Sequence, residues 1–309
     1  MADPTRGQDT KARFGAILAV FSDASGSLSV IEGAKWGWVT LAFLLGQMPV
    51  LSNAWVVTGA VTGPIPYGRC AALEMSNLFT SFIGGDAAVF AVRVRFFQCQ
   101  RYNTEAAISS GAIAGTASWV AKTVLFLLSI GFAAGDFHVA TGGGGHQDLV
   151  WIVIGVVVLA GVLAAVVMLV PRIRRLASQK ARPHLVTIWT DVKVIATQPR
   201  KIVYVLAGST ASQLFIALCL GASLHAVGQH AGLATLIVVL TLASIIGGAV
   251  PVPGGAGVIE VGLVGGLTAA GIPQSAAVAA ALIERAVTAY LPLIWGWATL
   301  VWMPHREYI

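Results

Sequence analysis

The chain has 309 residues, 57% of them hydrophobic and only 10% charged, far below the roughly 25% charged content of an ordinary soluble domain. That composition excludes a soluble globular protein and describes an all-α polytopic membrane protein. The formal charge of +6 does not point to nucleic acid, because the excess is local: eight Lys and Arg lie between Arg172 and Lys201, against the single Asp191.

In chain order, residues 1–34 form an N-terminal tail and amphipathic elbow. Basic residues there precede an apolar run of only eight, Phe14 to Phe21, which makes a poor signal peptide. Uncharged stretches then recur at lengths fit for a bilayer that a helix crosses in roughly 20 residues: Trp36–Gly68, Leu149–Pro171, Ile202–Leu224, Ala231–Ile259, Val261–Ile283 and Ala286–Pro304. Small helical segments are expected around Glu74 and Asp86, and the run from Ala106 is interrupted once, by Lys122. The expectation is about seven or eight membrane segments. Residues 35–135 read as a first transmembrane repeat and 206–303 as a second. Between them, 136–205 hold an external loop, a connecting helix and a basic loop, and 304–309 are a C-terminal tail.

The repeat rests on an ungapped match at an offset of 170 residues: "FIGGDAAVFAVRVRFFQCQRYNTEAAISSGAI" from Phe82 on "VPGGAGVIEVGLVGGLTAAGIPQSAAVAAALI" from Val252. Gly84 and Gly85 fall on Gly254 and Gly255, Ala106 and Ala107 on Ala276 and Ala277, and Ile113 on Ile283. Many transporter folds are built from such halves. Three crossings per half with one connecting helix make the halves parallel; Gly-rich segments that also span make them inverted.

The stretch from Gly247 to Pro273 carries three prolines within an apolar region. Pro251 and Pro253 each remove a backbone donor and disfavour helix in the residue before them, so the arriving helix should end near Val250. Gly254, Gly255 and Gly257 permit a turn closed to other residues. A new helix is expected from about Val258 to Ala270, roughly 20 Å long and too short to cross alone. A broken or re-entrant helix follows, and its N-terminal amides suit an anion such as a lipid phosphate. The competing reading is that these glycines only allow close helix packing.

Intramembrane ionisable residues are expensive and should face a partner or a cavity. The candidates are Glu74, Asp86, Lys122, Glu260, Glu284 and Arg285. Glu284 and Arg285 are adjacent, so each needs its own partner. Arg285 has two readings, an ion pair with Glu260 or a grip on phosphate through its planar fork. Asp86 and Lys122 are the first-half candidates, and Glu74 reads as interfacial. The six His show no ligand spacing and Cys70, Cys99 and Cys219 behave as small hydrophobes, so the sequence calls for no metal, no cofactor and no catalytic residues.

"PVPGGAGVIEVGLVGGLTAAGIPQSAAVAAALIERAVTAYLPLIWGW" closely resembles the transmembrane region of lysylphosphatidylglycerol synthases, a family of flippase-like integral membrane proteins. The resemblance is carried by Pro251, Pro253, Gly254, Gly255, Gly257, Glu260, Gly262-Leu263, Pro273, Arg285 and Tyr290-Leu291-Pro292. "GGDAAVFAVRVRFFQ" resembles the first half of actinobacterial-type members, so the likeness runs over roughly residues 30 to 303. It implies a multi-pass protein of the bacterial plasma membrane that translocates or binds an anionic phospholipid or polyprenyl-linked lipid, with Glu260, Glu284, Arg285 and Tyr290 near the head group. The alternative is a non-transporting module that anchors or regulates a separate enzyme of lipid or glycan synthesis, as a homo-oligomer or with that enzyme. Two departures stand out. "GTASWVAK" replaces an acidic-arginine pair in the first long helix, and no soluble aminoacyl-transferase domain follows within the 309 residues, so a synthase activity is not expected.

Positive residues favour the cytoplasmic side, which puts 172–201 inside and the Lys- and Arg-free 135–148 outside. In a background lacking the three native cysteines, a Gly143→Cys protein should react with a membrane-impermeant thiol reagent in intact cells. Protection of that cysteine would reverse the orientation.

Overall fold

Backbone amides and carbonyls cannot be left unpaired in hydrocarbon, so a chain this apolar is driven into helices. The computed structural model describes residues 33–133, 197–249, 255, 257–306 and 308–309, and these form an all-α membrane protein. The helices are α1 (Trp36–Gly59), α2 (Tyr67–Cys99), α3 (Thr104–Ala133), α4 (Pro199–Ala226), α5 (Leu233–Ala249), α6 (Val258–Ala269), α7 (Gln274–Arg285) and α8 (Pro292–Trp302). A π-helical turn, Ala286–Tyr290, joins α7 to α8. Among the described residues α1, α3, α4 and the continuous stretch Gln274–Arg306 are long and apolar enough to cross a membrane. The expected connecting helix, the basic loop as far as residue 196, and Pro251, Pro253 and Gly254 lie outside the described residues, while Arg200 and Lys201 fall in the first turn of α4 rather than in a loop; the topological assignment of 172–201 rests on charge alone.

Helices α1 and α4 form the central pair and run antiparallel. The Lys35 amide donates to Ala226 O (2.9 Å) at one end, and Lys201 Nζ donates to Thr62 O (2.6 Å) at the other. Small residues let the two backbones meet: a Cβ at Gly208 would lie 2.7 Å from Ser52 O, and one at Gly59 would lie 2.8 Å from Lys201 O. Large apolar side chains such as Leu44, Trp55, Leu128, Phe132 and Ile294 point outward, as expected where lipid rather than water is the solvent.

The short segments expected around Glu74 and Asp86 are one element instead. Helix α2 turns back on itself at Gly85, whose φ of 58° and ψ of −154° are closed in practice to other residues. Nineteen residues of straight helix would separate Glu74 from Arg93 by about 28 Å, yet the two side chains are 3.0 Å apart. Arg69 likewise hydrogen-bonds Gln100 at the open end. The element is therefore a helical hairpin that returns to its starting end rather than a single span.

Helices α5 and α6 form a second hairpin. A Cβ at Gly262 would lie 2.9 Å from Ala243 Cα, and one at Gly266 would lie 2.7 Å from Val239 Cγ1. The break between them uses Gly255 (φ 63°) and Gly257 (φ 82°), and α6 starts at Val258 as the sequence implies. The uncharged runs Ala231–Ile259 and Val261–Ile283 are thus not single spans. Helix α3 packs on α5, and α8 packs on α2.

Replacing Gly85 by Val should destabilise the protein by about 1–3 kcal/mol, because the turn then holds a side chain in a disfavoured conformation. Gly68→Ala, on the same hairpin with nothing within 4 Å of its added Cβ, should be near neutral. Thermal unfolding in detergent distinguishes the two; equal melting temperatures would remove the special role of Gly85.

Candidate functional site

Two polar clusters occupy the interior. In the first, Glu260 sits in the first turn of α6, where the helix dipole favours a carboxylate. Arg285 closes α7, where a cation is favoured. Their side chains meet, with Arg285 Nε donating to Glu260 Oε1 at 2.9 Å. Tyr290, delivered by the π-helical turn, donates its hydroxyl to the same oxygen at 2.8 Å. Glu260 is 3% exposed and Arg285 9% exposed, so the pair is desolvated. Of the two readings of Arg285, this geometry realises the ion pair. Glu284 finds a different partner, Thr288, whose Oγ1 lies 3.0 Å from Glu284 Oε1 and 2.8 Å from Glu284 O.

The second cluster surrounds a cavity of about 440 Å³ between α1, α2, α3, α4 and the turn into α8. Its polar wall comprises Asn53, Glu74, Asn77, Ser81, Arg93, Ser118, Ser212, Gln213 and Thr288. Fold-back of α2 joins Arg93 Nη2 to Glu74 Oε1 at 3.0 Å, and Asn77 Nδ2 donates to the same oxygen at 3.2 Å. Gly111 leaves room for the guanidinium, since a Cβ there would lie 3.3 Å from Arg93 Nη1. A second cavity, of about 230 Å³, adjoins on the far side of Glu74, Arg93, Asn53 and Ser118. Thr288 ties the clusters together, lining the cavity while it contacts Glu284.

The sequence-derived candidates are thus divided. Glu260, Arg285 and Tyr290 come together, with Glu284 behind them; Gly255 and Gly257 shape the approach. Lys122 instead reaches across to Ser244 Oγ at 3.1 Å, beside a cavity of about 20 Å³ shared with Gln213 and Thr241. Asp86 follows the hairpin turn, and its side chain lies outside the described residues. Glu74 lines the larger cavity, where the turn at Gly85 brings Arg93 to it. Sequence reading missed Arg93, Asn53, Asn77 and Gln213. The signal available was an Arg inside "AVFAVRVRFF" and isolated amides within uncharged runs, which periodicity alone does not assign to a shared face.

A family model described as Lysylphosphatidylglycerol synthase TM region matches residues 10–296. The chain belongs to that family, and with it to multi-pass membrane proteins of lipid-related function. Comparison with curated proteins finds no match.

Removing one member of a buried ion pair strands the other, at a cost of about 3–5 kcal/mol, whereas replacing both by apolar side chains of similar volume is often nearly neutral. Arg285→Met alone should therefore be strongly destabilising, and Glu260→Leu with Arg285→Met should recover most of the loss. Unfolding in detergent measures both. A double variant as unstable as the single one would assign Arg285 a further essential contact.

Proposed function

We propose, from membership of this family, that the protein binds a membrane lipid by its head group and moves it between leaflets of the plasma membrane, the candidate lipids being anionic phospholipids and polyprenyl-linked lipids. The observation that carries this reading is the polar cavity. A wall of amides, hydroxyls and one ion pair, enclosed among membrane-crossing helices, offers a head group a route through hydrocarbon that it cannot enter unaided.

The two halves read as an inverted repeat, which supports transport. The offset of 170 residues carries Gly85 onto Gly255, both with positive φ, and Thr104–Ala133 of α3 onto Gln274–Met303. Each half then holds a long helix, a re-entrant hairpin and a second crossing, and the leading helices α1 and α4 are antiparallel. Ser118 and Thr288, and likewise Gly46 and Ile216, are related by the same offset and line one cavity. Such a cavity lies where the halves meet, the usual place for a substrate in transporters of this construction.

A second reading, a non-transporting module that anchors or regulates an enzyme of lipid or glycan synthesis, draws on the Glu260–Arg285 pair. That pair is packed and hydrogen-bonded as a structural contact is. It leaves the polar cavity unexplained.

Reconstituted protein should accelerate inter-leaflet exchange of head-group-labelled lipids in liposomes. Ser118→Trp, which places a large ring at the boundary of the two adjoining cavities, should lower the rate at least tenfold while the protein still inserts and melts normally. Exchange no faster than in empty liposomes would favour the second reading, and wild-type rates in the variant would remove the cavity from the path.

A further inference from the structure

The hydrogen-bonding character of the cavity narrows what can fill it. Among the described residues the side chains of Asn53 on α1, Ser118 on α3, and Ser212 and Gln213 on α4 make no hydrogen bond, although all four line the cavity. An amide offers two donors and an acceptor oxygen, and a hydroxyl offers both roles. Three different helices thus present unspent donors and acceptors side by side. A ligand with hydroxyl groups satisfies both kinds at once. A phosphate has acceptors only, and would leave the amide oxygens unpaired in a low-dielectric site, a cost comparable with the gain from the bonds it makes.

Charge leads to the same conclusion. The one guanidinium in the wall, Arg93, is already neutralised by Glu74 at 3.0 Å. A phosphate placed on Arg93 would lie beside that carboxylate, and like charges at such distances repel strongly away from water. Asn77 is oriented by its bond to Glu74 Oε1, since a carboxylate accepts from the amide NH₂ and not from its oxygen. Its Oδ1 is left as an acceptor without a partner among the described residues. Lys122 does not line the polar cavity; it bonds Ser244 and lines a small cavity that shares Gln213 and Ile216 with the polar one.

An apolar pocket of about 260 Å³ adjoins the polar one, formed by Phe43, Gln47, Val50, Leu51, Met75 and Trp295. Val50 lines both. Leu51 is 39% exposed on the outer face of α1, so the pocket opens to the bilayer. Polar and apolar compartments that flank one residue, Val50, match an amphipathic molecule rather than a soluble one, and the polar volume falls within the roughly 300–1,000 Å³ of small-molecule sites.

We propose that the cavity receives an uncharged, hydroxyl-rich head group, a sugar or polyol, carried on a lipid whose chain lies in the pocket lined by Phe43, Met75 and Trp295. This rests on the lipid-binding reading above and adds to its candidates an uncharged glycolipid, which the cavity's wall fits better than a phosphate.

The test uses purified full-length protein in nanodiscs and a photoreactive monoglucosyl diacylglycerol. Labelling should be saturable and should map to α1 and α8 around Leu51 and Trp295. Unlabelled monoglucosyl diacylglycerol should compete at least tenfold better than phosphatidylglycerol or phosphatidylcholine, and free glucose should compete at least tenfold worse than the glycolipid. Asn53→Leu and the milder Ser118→Ala should each weaken binding about three- to tenfold, the range for one lost hydrogen bond, with unchanged melting temperature. Equal competition by phosphatidylglycerol, with Arg93→Gln the most damaging variant, would overturn the proposal in favour of a phosphate site. Equal competition by free glucose would overturn the lipid part, and absence of saturable labelling would overturn the site. Exchange assayed in the same preparation separates this from the transport reading. Glycolipid binding without exchange removes transport and keeps the site, whereas exchange of phosphatidylglycerol without glycolipid binding removes only the substrate assignment.

Discussion

Every backbone amide and carbonyl within the bilayer has to find a partner, and that requirement governs where this chain can stop being helical. The helical pattern breaks at Gly85 and around Gly255 and Gly257, and each hairpin so formed packs against another helix: α8 lies against the first and α3 against the second.

Close approach of helices follows from small residues, because lipid provides no hydrophobic drive for association. The antiparallel contact of α1 with α4 depends on Gly59 and Gly208 lying against backbone atoms of the partner. Gly46 sits on the same seam, facing Val287, Thr288 and Cys219, and Gln47 Nε2 donates to Val287 O at 2.9 Å. The π-helical turn that redirects the chain from α7 to α8 is thereby held against α1. That turn aims Tyr290 at Glu260 and puts Thr288 in the cavity wall, so one local widening of the helix serves both polar clusters.

The clusters divide the labour of buried charge. Glu260 and Arg285 are compensated by each other, by Tyr290 and by the ends of the helices that carry them, an arrangement that fixes α6 against α7. Glu74 and Arg93 are also compensated, but at the edge of open space, where further neutral polar side chains remain unspent. A packed pair stabilises a shape. A pair beside a cavity also sets which molecules the cavity tolerates, because it removes net charge while leaving hydrogen-bonding capacity in place.

From sequence alone came the membrane class, the family, the end of α5 near Val250, the start of α6 at Val258 and the pairing option for Glu260 and Arg285. These depend on composition, on proline and glycine chemistry, and on the cost of an unpaired charge, all of which act locally or over a few turns. The hairpin at Gly85, the antiparallel pair α1 and α4, and the cavity walled by Asn53, Glu74, Arg93 and Gln213 were decided by tertiary structure. Glu74 and Arg93 are 19 residues apart, and whether they lie about 28 Å apart or touch depends on a single glycine dihedral. Gln213 lies 160 positions from Asn53, and only the packing of α4 on α1 brings it to the same wall. In an apolar helix an isolated amide has no periodic pattern to say which way it faces; its neighbour across the interface decides that.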